Sequence, residues 1–289
     1  MITAARSRFA GAVAALGTRH GKERVIGPTL DAELGIRVEV AKDLDTDRFG
    51  TFTREIPRPG TALEAARSKA RAAIEAHGGA RFGLSSEGSF GPHPSVPFFP
   101  GGIEIVLLVD GETGLELTGL DVTVETNFAS TCASSVDEAR AFAARASFPS
   151  HGLIVIAAPH DKPEPALGLT KGIVDPSELE QAVREALRLH GRAWIETDMR
   201  AHLNPTRMAS IERAAQALAR AAHSLCPACA RPGYVPVKRV GGLPCDDCGE
   251  PTGKARAEVL ACAGCGRREE RPLPGAPRAT AFDCPRCNP

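Results

Sequence analysis

The sequence predicts an α/β fold, in which a mixed sheet is flanked by helices, followed by a small C-terminal double zinc-ribbon module. Strand-like runs alternate with amphipathic stretches of helical period over residues 1–223. From residue 224 the chain contains four Cys-x-x-Cys pairs and no long apolar stripe, so this part needs metal to hold a fold. We therefore predict two domains, 1–223 and 224–289.

The composition argues against several classes of protein. The 289 residues, 43% of them hydrophobic, suffice for one sizeable core and a smaller module. The 35 basic and 35 acidic residues cancel, which argues against binding to nucleic acid or membrane through overall charge. Only 4% of the residues are aromatic, too few for a broad stacking platform for single-stranded nucleic acid. No apolar run reaches the roughly 18 residues of a membrane-spanning helix. Paired cysteines are typical of metal sites in a reducing compartment, so we expect a cytoplasmic protein with no membrane partner.

The first elements are a strand, a helix and a second strand. The string "AGAVAALG" predicts a buried strand, although Arg6 and Arg8 ahead of it would also suit a weak signal peptide. The string "KERVIGPTLDAELG" predicts a helical stretch bent at Gly27 and Pro28, and "IRVEV" predicts a strand.

A well-marked amphipathic helix follows. The string "TALEAARSKARAAIEAH" places its apolar and small residues on one stripe, and Thr61 with Glu64 forms a capping box at its start. Three strand candidates come next: "RFGLSS", "IEIVLLV" and "LELTGLDVTVET". In this interpretation Glu87 lies on a loop directly after the first of them.

The remaining helices of the α/β domain begin at recognisable caps. Ser135, with Glu138 three residues later, starts a helix that is followed by the strand "GLIVIAA". Asp175-Pro176 and Asn204-Pro205 each combine a capping side chain with proline at the first helical position, where no N–H is needed. Between these two helices "RAWIET" predicts another strand.

The eight paired cysteines predict two metal sites. Each Cys-x-x-Cys turn presents two thiolates, and two such turns complete a tetrahedral site of four sulfurs. Zn²⁺ is the ion expected for such sites. Four cysteine ligands leave no open position, so both ions are predicted to be structural rather than catalytic. The predicted ligands are Cys226, Cys229, Cys245, Cys248, Cys262, Cys265, Cys284 and Cys287.

The sequence favours one pairing of the four cysteine turns without fixing it. The string "CDDCGEPTGKARAEVLACAGCG" has the length of one ribbon, which favours a nested arrangement with the first and last turns at the other site. Sequential pairing, first with second and third with fourth, is the alternative. The ninth cysteine, Cys132, has no partner in this pattern and is predicted to be a small buried hydrophobic residue.

Glu87, in "GLSSEGSFGPHP", is the first candidate for chemistry in the α/β domain. A carboxylate among glycines at the carboxyl end of a strand suits a metal ligand or a base. The alternative is a loop carboxylate that accepts backbone N–H bonds. Glu64, by its spacing alone, is explained by the capping box. Lys22, in "TRHGKE", lies where a strand passes into a helix, and helix N-termini bind anions, so it suits a phosphate.

Two further charged segments are candidates for ligand contacts. In "ETDMRAHLNPTRM" Asn204 is explained as a cap, whereas Arg200, His202 and Arg207 are predicted to bind phosphate or substrate. The string "TDRFGTFTREIPR" suits either a charged lid over a cleft or a loop tied by ion pairs. The charged residues of this region are Asp45, Asp47, Arg48, Arg54 and Arg58.

The order of these motifs resembles the inosine/xanthosine triphosphatase superfamily of house-cleaning nucleotide pyrophosphatases. Those enzymes have a Thr-x-Asn-x-x-Lys loop after their first strand, a Thr-x-x-Glu-x-Ala-x-x-Lys-Ala helix, and an acidic turn containing glycine after the next strand. The helix motif is matched here by Thr61, Glu64, Ala66, Lys69 and Ala70.

The other two motifs are matched with departures. Glu87 and Gly88 match the acidic turn, with Ser89 where one branch of that superfamily has glycine. The loop "TRHGK" is one residue shorter than the loop of those enzymes and has His20 in place of asparagine. The resemblance covers about the first 130 residues.

This resemblance implies hydrolysis of a nucleoside triphosphate with release of pyrophosphate, assisted by Mg²⁺ or Mn²⁺. Glu64 and Glu87 would be the catalytic residues that hold the ion, and Lys22 and Lys69 would bind phosphates. The division of labour is physically sensible, because phosphoryl transfer depends mainly on positioning and on neutralising charge.

Over its whole length the chain is also similar to a bacterial family built on a domain of unknown function, number 6671. The similarity rests on "HGKE", "TDRFGTFTREIPR", "SEGSFGPHP", "ETDMRAHLNPTRM" and the four cysteine pairs. It implies no particular activity.

The sequence therefore predicts a zinc-binding protein that is also a divalent-metal-dependent nucleoside triphosphate pyrophosphatase, with a nucleotide or another phosphorylated small molecule as ligand. The alternative is a non-catalytic ligand-binding protein whose zinc ribbon docks on nucleic acid or on a protein partner, since "PVKRV" and "GRREERP" are basic. The oligomeric state is left open, a homodimer included.

Overall fold

The structure, a computed structural model, describes residues 6–42, 44, 45, 60–275 and 277–289. Within this part the chain divides into two compact units. The larger unit comprises Phe9–Ala219, and the smaller unit comprises Arg220–Pro289 together with the described residues before Phe9. The boundary falls inside a helix, whose last turn belongs to the smaller unit.

Helices and strands alternate along the chain. In chain order the helices are α1 (Arg6–Phe9), α2 (Glu23–Leu34), α3 (Ala62–His77), α4 (Val136–Arg145), α5 (Pro176–His190) and α6 (Pro205–His223). The strands are β1 (Val13–Gly17), β2 (Arg37–Val40), β3 (Phe82–His93), β4 (Val96–Asp110), β5 (Glu116–Thr123), β6 (Ser130–Ala133), β7 (Leu153–Ala157), β8 (Leu169–Ile173), β9 (Ala193–Thr197), β10 (Val235–Gly241), β11 (Ala255–Ala261) and β12 (Arg268–Pro272).

The first sheet of the larger unit has five strands in the order β2-β1-β3-β4-β5. The strand β1 runs parallel to β2 and β3, whereas β4 and β5 are added as antiparallel hairpins. Helix α3 packs Ala66 and Ala70 against Leu107 and Val109 on one face. Side chains alternate between the two faces along a strand, so Glu104 of β4 points to the face opposite Leu107 and Val109. Helix α6 packs on that face, where its Arg207 contacts Glu104.

The second sheet of the larger unit has four antiparallel strands in the order β6-β9-β7-β8. Helices α4 and α5 contribute Phe142 and Val183 to a core that also contains Leu153, Val155 and Ile195 from the strands. The strands of the larger unit are thus divided between two sheets, each with its own packed helices.

The smaller unit contains a three-stranded antiparallel sheet in the order β10-β11-β12. Its buried core is small: Tyr234 and Leu260 pack with Cys226 and Cys262. A core of this size supplies little hydrophobic stabilisation, which is the physical reason such modules depend on metal.

The predicted caps are confirmed in the structure. Thr61 and Glu64 form the capping box of α3, and the side chain of Ser135 accepts from the backbone N–H of Glu138 at the start of α4. Asp175 accepts from two backbone N–H groups at the start of α5. Asn204 accepts from the backbone N–H of Arg207 at 3.0 Å at the start of α6. These side chains satisfy N–H groups that a helix leaves without partners, so they fix where each helix begins.

The α/β prediction is confirmed, and β1 is the buried strand expected from "AGAVAALG". The strand after α3 was predicted too short: β3 continues through Glu87 to His93 because β4 pairs with it along that length. Glu87 therefore lies within a strand rather than on a loop. The strands β6 and β8 were not predicted.

The proposed charged lid is described only in part. Asp45 pairs with Arg19 at 3.2 Å. Its other charged residues lie outside the described residues: Asp47, Arg48, Arg54 and Arg58.

Gly119 of β5 allows α6 to approach the sheet closely. A Cβ atom at this position would collide with the backbone carbonyl oxygen of Ala214 and lie 2.4 Å from the backbone nitrogen of Leu218. We expect Gly119→Ala to lower the free energy of unfolding by about 1–3 kcal/mol or more, as overpacking does. Urea unfolding followed by circular dichroism measures the change.

Gly79→Ala is the matched control, since a Cβ atom there meets no other atom within 4 Å. It should leave the unfolding midpoint nearly unchanged. Equal stability of the two variants would show that the contact between α6 and β5 does not depend on the missing side chain.

Candidate functional site

The candidate site lies where β1 ends beside β3. The last pairing between these strands joins Gly17 and Ser85. Beyond it, β3 continues while the chain leaves β1 through the loop Thr18–Lys22 and enters α2. Crevices of this kind, outside the carboxyl ends of parallel strands, are where α/β sheets bind ligands. Lys22 is buried in this crevice, and its ammonium group donates to the carbonyl oxygen of Ser86 at 2.7 Å.

Glu87 and Lys69 form a buried ion pair on the α3 side of β3. Their side chains are only 4% and 10% exposed. Lys69 comes from the middle of α3, and the register of β3 places Glu87 opposite Ile105 of β4. Burying two charges is expensive unless they are paired, so this pair holds its geometry tightly.

Glu104 and Arg207 form a second buried ion pair on the α6 side of the same sheet. The distance between Arg207 Nε and Glu104 Oε1 is 2.6 Å, and neither side chain is exposed. One Nη of Arg207 donates to the carbonyl oxygen of Met199, and the guanidinium group lies over the ring of Phe90. Arg207 is thus held by a carboxylate, a carbonyl and an aromatic ring.

Gly88 lies next to this pair and leaves room for it. A Cβ atom at this position would collide with the carboxylate of Glu104 and lie 2.7 Å from an Nη atom of Arg207. Any larger residue would displace the ion pair. The glycine after Glu87 is therefore explained by close packing beside β4.

A third ion pair joins Asp198 and Arg200 in the segment between β9 and α6. Nε of Arg200 lies 3.0 and 3.1 Å from the two carboxylate oxygens of Asp198, a bidentate contact. Asp198 is fully buried, while Arg200 is half-buried. The side-chain amide of Asn204 donates to the carbonyl oxygen of Asp198 at 3.2 Å, which ties this segment to the start of α6.

Two histidine rings complete the site. His20, from the loop after β1, stacks on His202, from the short 3₁₀ turn Ala201–Leu203. The ring centroids are 5.1 Å apart and the planes differ by 18°. His202 is exposed and His20 is half-buried, so the pair leads from the surface toward Lys22.

Positive charge exceeds negative charge in this cluster. Four cationic side chains, Lys22, Lys69, Arg200 and Arg207, accompany three carboxylates, Glu87, Glu104 and Asp198. A cluster in which basic groups outnumber carboxylates favours an anionic ligand.

The pKa values reflect the same environment. Burial, followed by the charge of Arg207, lowers the pKa of Lys22 to about 7, against the opposing effect of Glu104 and Glu87. Burial and the charge of Lys22 lower the pKa of His20 to about 3.

The structure brings together six of the predicted site residues, which are Lys22, Lys69, Glu87, Arg200, His202 and Arg207. Glu64 lies instead at the exposed start of α3, where its carboxylate accepts from the backbone N–H and the hydroxyl of Thr61 at 2.7 and 2.9 Å. Its predicted role at a metal ion stays a prediction.

Glu104 and Asp198 were not selected from the sequence. The signal for Glu104 was a single acidic residue in the apolar run "IEIVLLV".

The cysteine turns form two clusters of four sulfurs, each of which can hold a metal ion. The first and third turns meet, and so do the second and fourth. The members are Cys226, Cys229, Cys262 and Cys265 in one cluster and Cys245, Cys248, Cys284 and Cys287 in the other. The favoured nested pairing and the sequential alternative are therefore both wrong.

The strand pairing explains the crossed arrangement. Because β10 and β11 are antiparallel, Val235 at the start of β10 lies opposite Ala261 at the end of β11. The turn before β10 therefore meets the turn after β11, while the turn between these strands lies at the other end of the sheet. There a bridge between Cys245 and Ala279 leads the last turn to it.

The sulfur atoms are spaced for a metal ion rather than for disulfides. Sulfur–sulfur distances within the clusters are 3.6, 3.6, 3.6 and 3.9 Å. Four sulfurs around an ion at roughly 2.3 Å would be about 3.8 Å apart, whereas a disulfide needs about 2.05 Å.

The ninth cysteine, Cys132, is only half-buried, so it is not the buried residue that was predicted. Its sulfur lies 3.5 Å from a carboxylate oxygen of Asp161.

A family model matches most of this chain. The family described as Domain of unknown function (DUF6671) matches residues 69–289. The chain belongs to this family. A search of curated proteins found no match. The part matched by the DUF6671 model includes Lys69, Glu87, Glu104 and Arg207 as well as both cysteine clusters, while Lys22 and His20 precede it. Among the described residues of this DUF6671 protein, no helix is long and apolar enough to cross a membrane.

Loss of one partner of the Glu104–Arg207 pair should be costly. Glu104→Gln leaves the guanidinium group of Arg207 buried without its counter-charge, and we expect the free energy of unfolding to fall by about 3–5 kcal/mol. Urea unfolding at pH 7 measures this loss.

The control is Glu185→Gln on α5, which removes an exposed ion pair with Arg188. That variant should lose less than about 1 kcal/mol, because water solvates both charges. If Glu104→Gln were as stable as this control, Arg207 would not depend on Glu104.

Proposed function

We propose that each four-cysteine cluster holds one Zn²⁺ ion with a structural role. The sulfur–sulfur distances of 3.6–3.9 Å support a tetrahedral ion, and four thiolates are a common zinc ligand set. Four protein ligands leave no place for water or substrate. The small core of this unit explains why the ions would be needed for folding.

Double substitutions test the crossed pairing. Under this pairing the variant Cys226→Ser/Cys262→Ser disrupts a single site and keeps one zinc ion, whereas Cys226→Ser/Cys245→Ser disrupts both sites. Native mass spectrometry of the full chain counts the ions. The nested and sequential pairings both predict that the first variant loses both ions, so that result would refute the arrangement described above.

We also infer that the larger unit binds a polyphosphate and hydrolyses a nucleoside triphosphate. The observation that carries this inference is that two buried lysines contact consecutive residues of β3: Lys22 donates to the carbonyl oxygen of Ser86, and Lys69 pairs with Glu87. Phosphoryl transfer requires positioned cations more than it requires reactive side chains. A buried lysine whose pKa lies near 7 gains its full charge when an anion binds beside it.

The other basic residues have distinct roles in this proposal. Arg200 is half-buried and His202 is exposed, so both are accessible to a phosphate that enters from the surface. Arg207 is held by Glu104, Met199 and Phe90, so it would contribute positive charge and position the neighbouring groups. The cation at the centre of the crevice would be Lys22.

A divalent ion, Mg²⁺ or Mn²⁺, would be held by Glu87 and Glu64 together with the phosphates, and it would neutralise charge on the reacting phosphate. Among the described residues, the groups of three or more potential ligands around one point are the two cysteine clusters. A site with few protein carboxylates fits Mg²⁺, which usually keeps several waters and binds through one or two carboxylates plus substrate phosphates.

Two glutamine substitutions test the hydrolase. The full chain is assayed for pyrophosphate release from a panel of nucleoside triphosphates with Mg²⁺ or Mn²⁺. Glu87→Gln should reduce turnover by about 100-fold, as does loss of a group that stabilises developing charge. Glu64→Gln is informative because glutamine also forms the capping box, so a loss of activity would report the lost charge rather than an unfolded helix start.

Glu75→Gln, at an exposed position of α3, is the control and should retain full activity. Turnover that is unchanged in both Glu87→Gln and Glu64→Gln would contradict the proposed metal site.

The non-catalytic alternative makes a different prediction. On the smaller unit Arg256, Lys254 and Arg286 each pair with an acidic residue, at 2.7, 3.1 and 3.1 Å. Lys238 and Arg239 are exposed on the edge strand β10 and would be the contacts to a nucleic acid. Absence of turnover, together with salt-sensitive binding to nucleic acid that is lost in Lys238→Glu/Arg239→Glu, would favour the alternative.

A further inference from the structure

We propose that His20 and His202 are a proton-linked contact for a phosphoryl group: the phosphate binds against the two stacked rings, and the pair takes up one proton from solvent as it binds. This inference rests on the polyphosphate site proposed above. It assigns a ligand-binding role to His20, at the position where the resembling triphosphatases have asparagine.

The placement of the two rings supports this role. They come from separate segments, the loop after β1 and the 3₁₀ turn before α6, and they meet at 5.1 Å. Exposure falls from His202, which is exposed, to His20, which is half-buried, and to Lys22, which is buried and influences His20. The two rings are therefore the more accessible groups beside Lys22, where a phosphate from the surface would meet them.

The groups that face the rings are mainly cationic. His20 is influenced by Lys22, Arg200 and Arg207 as well as by His202. His202 is influenced by Arg200 and Arg24, with Asp198 as the one carboxylate that acts in the opposite direction. The charges with the largest effects on the two rings are thus mostly positive.

Both rings have lowered pKa values without a ligand. Burial and then the neighbouring cations lower the pKa of His20 to about 3 and also lower the pKa of His202. Two stacked imidazolium rings would repel each other, so the pair has room for one proton. After burial, the charges that lower these pKa values are the same cations that would attract a phosphate.

Binding of a phosphate reverses the balance. Its oxygens offset the charges of Lys22 and Arg200 and accept a hydrogen bond from a ring N–H, both of which favour the protonated imidazole. The pKa of the pair is therefore higher in the complex than in the free protein. By linkage, affinity rises as pH falls through the pKa of the complex, by up to about tenfold per pH unit, and levels off below the pKa of the free protein.

Calorimetry measures the proton directly. Inorganic pyrophosphate is titrated into the full chain between about pH 5 and 8, the range in which histidine charge usually changes. Repeating each titration in two buffers of different ionisation enthalpy gives the number of protons taken up. We expect about one proton per bound pyrophosphate at the lower pH values.

Variants locate the proton. His20→Asn keeps a side-chain hydrogen-bond donor but cannot titrate, so it should still bind pyrophosphate. Near pH 5, where Lys22 with its pKa of about 7 is already charged, proton uptake and the pH dependence of affinity should be lost or strongly reduced. His202→Asn should act in the same direction. His160→Asn is the control: His160 is exposed and has φ of 60°, a conformation that asparagine tolerates, and its uptake should equal that of the wild type.

A second measurement needs no variant. The ring C–H resonances of the histidines, followed by NMR over the same pH range with and without pyrophosphate, should show one or both rings of this pair titrating at higher pH in the complex. Binding without proton uptake, or uptake that is unchanged in both variants, would overturn this inference and leave the hydrolase proposal standing. Absence of pyrophosphate binding would overturn both.

Discussion

The buried ion pair between Arg207 and Glu104 is the interaction on which the arrangement of the larger unit depends. A guanidinium group with no exposed surface is tolerated only where charge and hydrogen bonds are supplied around it. Here a strand of the first sheet supplies the carboxylate, and the segment after β9 supplies the carbonyl oxygen of Met199. The pair therefore connects the start of α6, the five-stranded sheet and the chain that leaves the second sheet.

This connection also places the basic residues of the crevice. Arg200 and His202 belong to the short segment between Met199 and Asn204, and that segment is fixed at both ends, by Arg207 and by the amide of Asn204. His202 of this segment then stacks on His20. The close approach of α6, which needs Gly88 and Gly119, brings its buried charge to one face of β3 while α3 brings Lys69 to the other. Polar groups from distant parts of the chain meet because two helices pack on opposite faces of one strand.

Local signals in the sequence predicted the helices well, since caps such as Asp175 and Asn204 act within a few residues of the helix start. The extent of β3 was missed because serine, glycine and proline in "SSEGSFGPHP" are turn residues in isolation, and only the pairing with β4 extends the strand. Lys22, Arg200 and His202 follow the ends of predicted strands. Lys69 and Glu87 instead lie inside α3 and β3, and they meet because these two elements pack together. Glu104 was missed because its role depends on contact with Arg207, which is 103 residues away in the chain.

The cysteine spacing predicts which two sulfurs share a turn. The pairing between turns depends on the antiparallel direction of β10 and β11, which the spacing does not encode.

The crossed cysteine pairing has a consequence for the central strand of the smaller unit. The strand β11 begins after Cys248, which belongs to one cluster, and ends directly before Cys262, which belongs to the other. Its two ends are thus anchored by different clusters, and the chain segments that close the two clusters overlap along this strand. Cleavage anywhere within β11 would put the first two cysteine turns on one fragment and the last two on the other. Each cluster would then be divided between the fragments, and neither fragment alone would contain the four ligands of a cluster.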